Sequence, residues 1–104
     1  MFTLDVLVEF VGTLFFLSVI LMTGGQPWAV GAALAGAIWL GAVVGCQSNN
    51  FNPAVSVALF ARGAMPGWRC AAYVVAQVLG GLAAYYLIAL NGKSRIATWV
   101  HKLP

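Results

Sequence analysis

The sequence predicts an all-α membrane protein: three transmembrane helices plus one re-entrant half-helix. Three observations predict it. Of 104 residues, 62% are hydrophobic and only 7% are charged, and the mean hydropathy is +0.96. A small soluble domain has a large surface for its volume and covers it with charge, near a quarter of its residues on average. The apolar residues fall into three long runs, each close to the roughly 20 residues that one helical crossing needs. Between the second and third lies a fourth apolar stretch about half that length, with capping residues at both ends. The chain is therefore expected to be an integral, multi-pass membrane protein, in a membrane that the sequence does not identify.

The first helix is expected over about residues 4–22, stopped by Thr23-Gly24-Gly25-Gln26-Pro27, a cluster that helices do not cross. A secretory signal would want a basic segment ahead of a short apolar core. Here Asp5 leads the run and Glu9 lies inside it, so the run reads as a mature helix. A carboxylate within a span is expensive and usually faces the bundle interior. Glu9, Gly12, Thr13 and Phe16 share one helix face. The competing reading is that Glu9 is solvated near the membrane surface.

The second helix is expected over about 28–47, with no charge in it. Its Gly41 and Gly45, and its Ala32 and Gly36, repeat at four-residue spacing, the pattern that lets helices approach closely. Next comes the polar stretch Gln47-Ser48-Asn49-Asn50-Phe51-Asn52-Pro53. The loop and half-helix together occupy about 48–62. From Pro53 to Arg62 a helix measures about 15 Å, half the thickness of a hydrocarbon core. Asn52 suits the N-cap, Pro53 the first helical position and Gly63 the position after the end.

Irregular backbone in a membrane has to be sheltered, because unmet hydrogen bonds there cost several kcal/mol each. Glu9, and Gln77 in the third helix, are the mid-span groups able to satisfy it. If the Asn52 oxygen caps the half-helix, its amide NH₂ becomes a donor at the positive end of a helix dipole, suited to a neutral solute with lone pairs. A cap with no permeant is the plainer alternative. The third helix is expected over about 68–90, with Ala72, Ala76, Gly80 and Ala84 at four-residue spacing. Residues 1–91 thus form one repeat and 92–104 a basic tail.

Five basic residues and two acidic ones leave a net charge of +3, too little and too scattered for a nucleic-acid surface. Cys46 and Cys70 match no metal or redox spacing, and nothing implies a cofactor. With one histidine, His101, there is no catalytic constellation, so no enzyme is expected.

The string Asn50-Phe51-Asn52-Pro53-Ala54-Val55-Ser56-Val57-Ala58 resembles the first signature loop of the aquaporin and glycerol facilitator family, the major intrinsic proteins. Glu9-Phe10-Val11-Gly12-Thr13 is similar to that family's opening motif, and Tyr73-Val74-Val75-Ala76-Gln77-Val78-Leu79-Gly80-Gly81 to its third helix. The resemblance covers roughly residues 5 to 90 and points to the N-terminal repeat of the family's inverted-repeat fold. It implies a channel for water or small neutral solutes such as glycerol. Asn52, Pro53 and Ala54 would be the signature triplet, Glu9 and Gln77 the loop supports, and the backbone carbonyls of Ser48, Asn49 and Asn50 an acceptor ladder. There are departures. Val55 follows the triplet where the family's second signature usually carries an arginine, Ala32 stands where an aromatic often narrows the filter, and Asn50 where a histidine is common. Together they imply a wider opening.

The family has two inverted repeats per chain, and this sequence holds one. The expected partner is a second copy in inverted orientation, as an antiparallel homodimer of half-channels, with a tetramer of such dimers suggested by the resemblance. The charges bear on this: Arg62 and Arg69 on one side face Lys93, Arg95 and Lys102 on the other, almost no bias under the positive-inside rule. The alternative is a non-conducting half-channel, or a subunit requiring a different partner repeat.

Overall fold

The computed structural model describes residues 2–46 and 49–90. Glycines and prolines divide the described residues into four helices, and the divisions have local causes. α1 (Phe2–Thr23) ends where Gly24 and Gly25 take φ of 66° and 83°, values that favour residues without a Cβ. α2 (Pro27–Val43) starts on Gln26, whose side chain accepts from the Ala29 N–H at 2.7 Å. α3 (Pro53–Ala61) starts on Asn52, whose Oδ1 accepts from the Ala54 N–H at 2.8 Å. It ends with Gly63 at φ 84°, where Gly63 N donates to Phe60 O and Ala64 N to Leu59 O, closing the helix as a left-handed cap does. α4 (Gly67–Leu90) follows Pro66.

Two details depart from the sequence reading. α2 has 17 residues and stops at Val43 rather than near residue 47. The reason is Gly45, which at φ 83° belongs to the turn that ends the helix, with Cys46 N donating to Gly41 O at 2.9 Å. Gly45 is thus a stop and not a packing residue. The buried small residues of α2 are Ala33, Ala37 and Gly41, so the close-approach face lies one position along from the expected Ala32 and Gly36. On α4 the expected row fares better, with Ala76, Gly80 and Ala84 buried and Ala72 half-buried.

α1 is the centre of the arrangement. It packs on α4 and on α2, and α3 packs on α4. α1 and α4 run parallel, because Asp5 meets Arg69, Glu9 meets Gln77, and Phe10 and Thr13 crowd Gly80. α1 and α2 run antiparallel, with Gly41, near the end of α2, against Val8. The chain therefore goes out along α1, back along α2 and out again along α4.

Its burial pattern is inverted relative to a water-soluble protein. Asp5, Glu9, Thr13, Ser56 and Gln77 are each at most 2% exposed, while Trp28, Trp39 and Leu90 are 85%, 64% and 85% exposed. Asp5, Glu9, Ser56 and Gln77 find hydrogen-bond partners inside, and the apolar surface faces a solvent without hydrogen bonds. α1 and α4 are long and apolar enough to cross a membrane. Only 11% of the apolar window of α1 is buried, unlike the core helix of a soluble protein.

Candidate functional site

The site is the short irregular segment Asn49–Asn52 and the start of α3, held by side chains from α1 and α4. Glu9, fully buried on the α4-facing side of α1, reaches two successive loop amides. Its Oε2 accepts from Asn50 N at 2.9 Å and its Oε1 from Phe51 N at 2.8 Å. One carboxylate thus satisfies two donors that no helix provides for, and charge-assisted bonds of this kind are about twice as strong as neutral ones.

Gln77 acts one step removed from the backbone. Its Nε2 donates to Glu9 Oε1 at 2.6 Å and to Ser56 Oγ at 2.9 Å. Ser56 Oγ also accepts from Asn50 Nδ2 at 3.0 Å, and Cys70 Sγ lies 3.6 Å from the Ser56 carbonyl oxygen. Ser56 is therefore the joint where loop, α3 and α4 meet. The sequence reading passed over it as an ordinary residue of an apolar helix, although a lone serine on the half-helix, three positions after the N-terminal Pro53, was a readable signal.

Phe51 is the second omission. It has φ 53°, a left-handed conformation uncommon in bulky residues, and it is 1% exposed. Its ring fills the notch left by Gly12, where a Cβ would collide with it. Asn49 likewise packs its side chain where a Cβ on Gly41 would stand. Two glycines on two helices thus make room for the two ends of the loop.

A second cluster lies one turn below. Arg69 Nη1 is 3.3 Å from Asp5 Oδ2 and donates to Tyr73 OH at 3.0 Å, and Tyr73 OH is 3.5 Å from the same carboxylate oxygen. The sequence reading counted Arg69 as a loop charge only.

The expected site residues fall into two groups. Glu9, Gln77 and the Asn50 side chain converge on the inner face of the loop. Asn52, Ala54 and Val55 are exposed and Pro53 is partly exposed, so the signature triplet sits on an open face. Asn52 Oδ1 is used by its cap, and Nδ2 has no partner among the described residues. Asn49 is half-buried. Ala32 is exposed on α2. Ser48 and the basic tail lie outside the described residues. Among the described residues no group of three or more His, Cys, Asp or Glu could hold a metal.

Comparison with known proteins meets this geometry from another direction. The chain is 42% identical over 76 residues to the probable aquaporin TIP4-1 of Oryza sativa subsp. japonica, covering 72% of this chain and 30% of that one. It is 34% identical over 64 residues to an aquaporin of Laccaria bicolor, and 31% identical over 64 residues to Aquaporin-6 of Laccaria bicolor. Each of those two matches covers 62% of this chain and 19% of the relative. The chain is aquaporin-like. No family model and no solved structure matches it. The matched segment spans less than a third of these aquaporins' own length. An aquaporin-like sequence with an apolar exterior makes this an integral membrane protein, and its relatives are named as aquaporins.

Proposed function

We propose that the chain is a half-channel for passive permeation of water or small neutral solutes such as glycerol, completed by a second copy in inverted orientation. The observation that carries this is the α3 N-terminus, with Asn52 at its open tip, braced from behind by Glu9, Gln77 and Ser56. Depth supports it. Gly12, which receives the Phe51 ring, is ten positions into α1, about 15 Å along the helix and so about half-way through a hydrocarbon core. Direction supports it as well. With α1 and α4 parallel and α2 antiparallel, α3 makes no net crossing, so three spans and a half-helix that enters and returns account for the order of elements. α2 is about 25 Å long and crosses with the residues that flank it.

At such a depth the exposed Asn52 amide is a fixed donor beside the positive end of a helix, favourable to lone pairs and hostile to cations. The acceptors opposite it would be the carbonyls of Ser48, Asn49 and Asn50, with Ala32 and Val55 leaving the opening wide. One chain leaves this face uncovered: besides Asn52, Val57 and Phe60 of α3 are 52% and 48% exposed. An inverted copy closes the face with the same residues about a two-fold axis in the membrane plane, and such dimers could group further into tetramers.

The test is stopped-flow swelling of proteoliposomes holding the chain alone, with water and glycerol gradients. Flux of either above that of empty vesicles is expected, with Asn52→Asp impairing it in the same preparation. Vesicles no more permeable than empty ones would instead favour a subunit that needs a different partner repeat.

A further inference from the structure

We propose that Asp5, Arg69 and Tyr73 are positioning residues that fix the register of α1 against α4, and so the depth at which Glu9 and Gln77 hold the loop. The proposal deepens the half-channel reading and rests on it. The need for such a device follows from the packing. Ala76, Gly80 and Ala84 present a small residue at every turn of α4, so a slip of one turn, about 5.4 Å, is opposed on this face by one group, the Cβ that an alanine would bring to the place of Gly80 against the α1 backbone. Apolar contact alone rests the register on that single glycine. A one-turn slip would set Glu9 beside Tyr73 and leave the loop without Gln77.

The polar cluster adds a second, directional restraint. Asp5 stands four residues before Glu9, and Tyr73 four before Gln77, so the two pairs are successive rungs on one interface. Asp5 is 1% exposed and lies within 3.3 Å of Arg69 Nη1, which also bonds Tyr73 OH at 3.0 Å. The guanidinium is itself held by rings, its Cζ 5.3 Å from the ring centroids of Phe2 and Trp68 and 5.9 Å from that of Tyr73. A planar fork fixed by aromatics and aimed at a buried carboxylate has one good arrangement, and specifying register is the best-attested use of buried polar pairs.

Spin labels at Leu7→Cys and Val75→Cys, both exposed positions on α1 and α4, in a chain whose free Cys46 and Cys70 are replaced by alanine, report the register directly in liposomes. We expect one narrow interlabel distance in the parent chain. Asp5→Asn should add a second population displaced by about one turn, near 5 Å, and raise the glycerol-to-water permeability ratio severalfold. Tyr73→Phe, which keeps the ring and its packing, guards against misfolding of the Asp5 variant and should shift both readouts the same way by less. An unmoved distance in both variants overturns the proposal, whether or not thermal stability falls. Parent vesicles no more permeable than empty ones would sink the channel reading, while the distances still decide the register.

Discussion

Glu9 shows how much one side chain can determine when nothing else is available to replace it. Its two oxygens take the N–H groups of Asn50 and Phe51, and Glu9 and Phe51 are both shut away from solvent. Glu9→Ala should therefore strand both donors, at about 1–3 kcal/mol each, and Glu9→Gln, which can turn only one oxygen to the loop, should lose about half as much. Reversible unfolding in mixed micelles measures both, and equal losses in the two variants would contradict the two-donor account. Gly12 is the counterpart on the steric side. Gly12→Ala would drive a methyl into the Phe51 ring, and since Phe51 is buried with φ 53°, the loop has no slack to give. A loss of about 1–3 kcal/mol is expected, with solute flux falling alongside it.

Among the elements, α1 and α4 make the closest approach. A Cβ on Gly80 would stand 2.7 Å from the Phe10 carbonyl oxygen and 3.2 Å from Leu14 N, both backbone, so only separation of the helices would accommodate it. Gly80→Ala should cost about 1–3 kcal/mol. Gly31→Ala, with nothing within 4 Å, should instead be neutral or gain up to about 1 kcal/mol from helix propensity. Thermal unfolding of the two variants side by side separates packing from propensity. The helices and their caps were legible because their signals are local: Asn52, Pro53 and Gly63 each do at the ends of α3 what their backbone chemistry suits them for. Gly45 was misread because a glycine at four-residue spacing and a glycine at a helix stop look alike until the chain direction is known. The Asp5–Arg69 pair was not legible at all. Its members are 64 residues apart, and a charge beside a membrane helix looks like a flank until a tertiary partner claims it. Phe51 carried no signal either, since φ is imposed on it by Glu9 from one side and Gly12 from the other.

At the scale of the whole molecule, the outward face is apolar on every helix and the α3 tip is open, so the half-channel reading gives the chain one surface for lipid and another for a second copy. An inverted copy needs both orientations in one membrane. Of the two arginines between α3 and the first turn of α4, Arg69 is paired with Asp5, which leaves Arg62 as the more exposed charge on that side and weakens the bias further. A reporter fused at the C-terminus and probed from each face should label on both. Labelling on one face alone would exclude the antiparallel homodimer and favour pairing with a different repeat.

The parallel meeting of α1 and α4 also sets a clock. Glu9 and Gln77 lie 68 residues apart, and at about 5–20 residues per second the ribosome needs roughly 3–14 s to make that stretch. For that interval α1 resides in the membrane with its carboxyl group made and its amide partner not yet synthesised. Insertion of α1 alone is correspondingly costly, by about 2.5–3.5 kcal/mol for a central acidic residue on insertion scales. Until α4 is made, α1 has only its apolar flanks to hold it in the membrane, and the bond from Gln77 to Glu9 can close only afterwards.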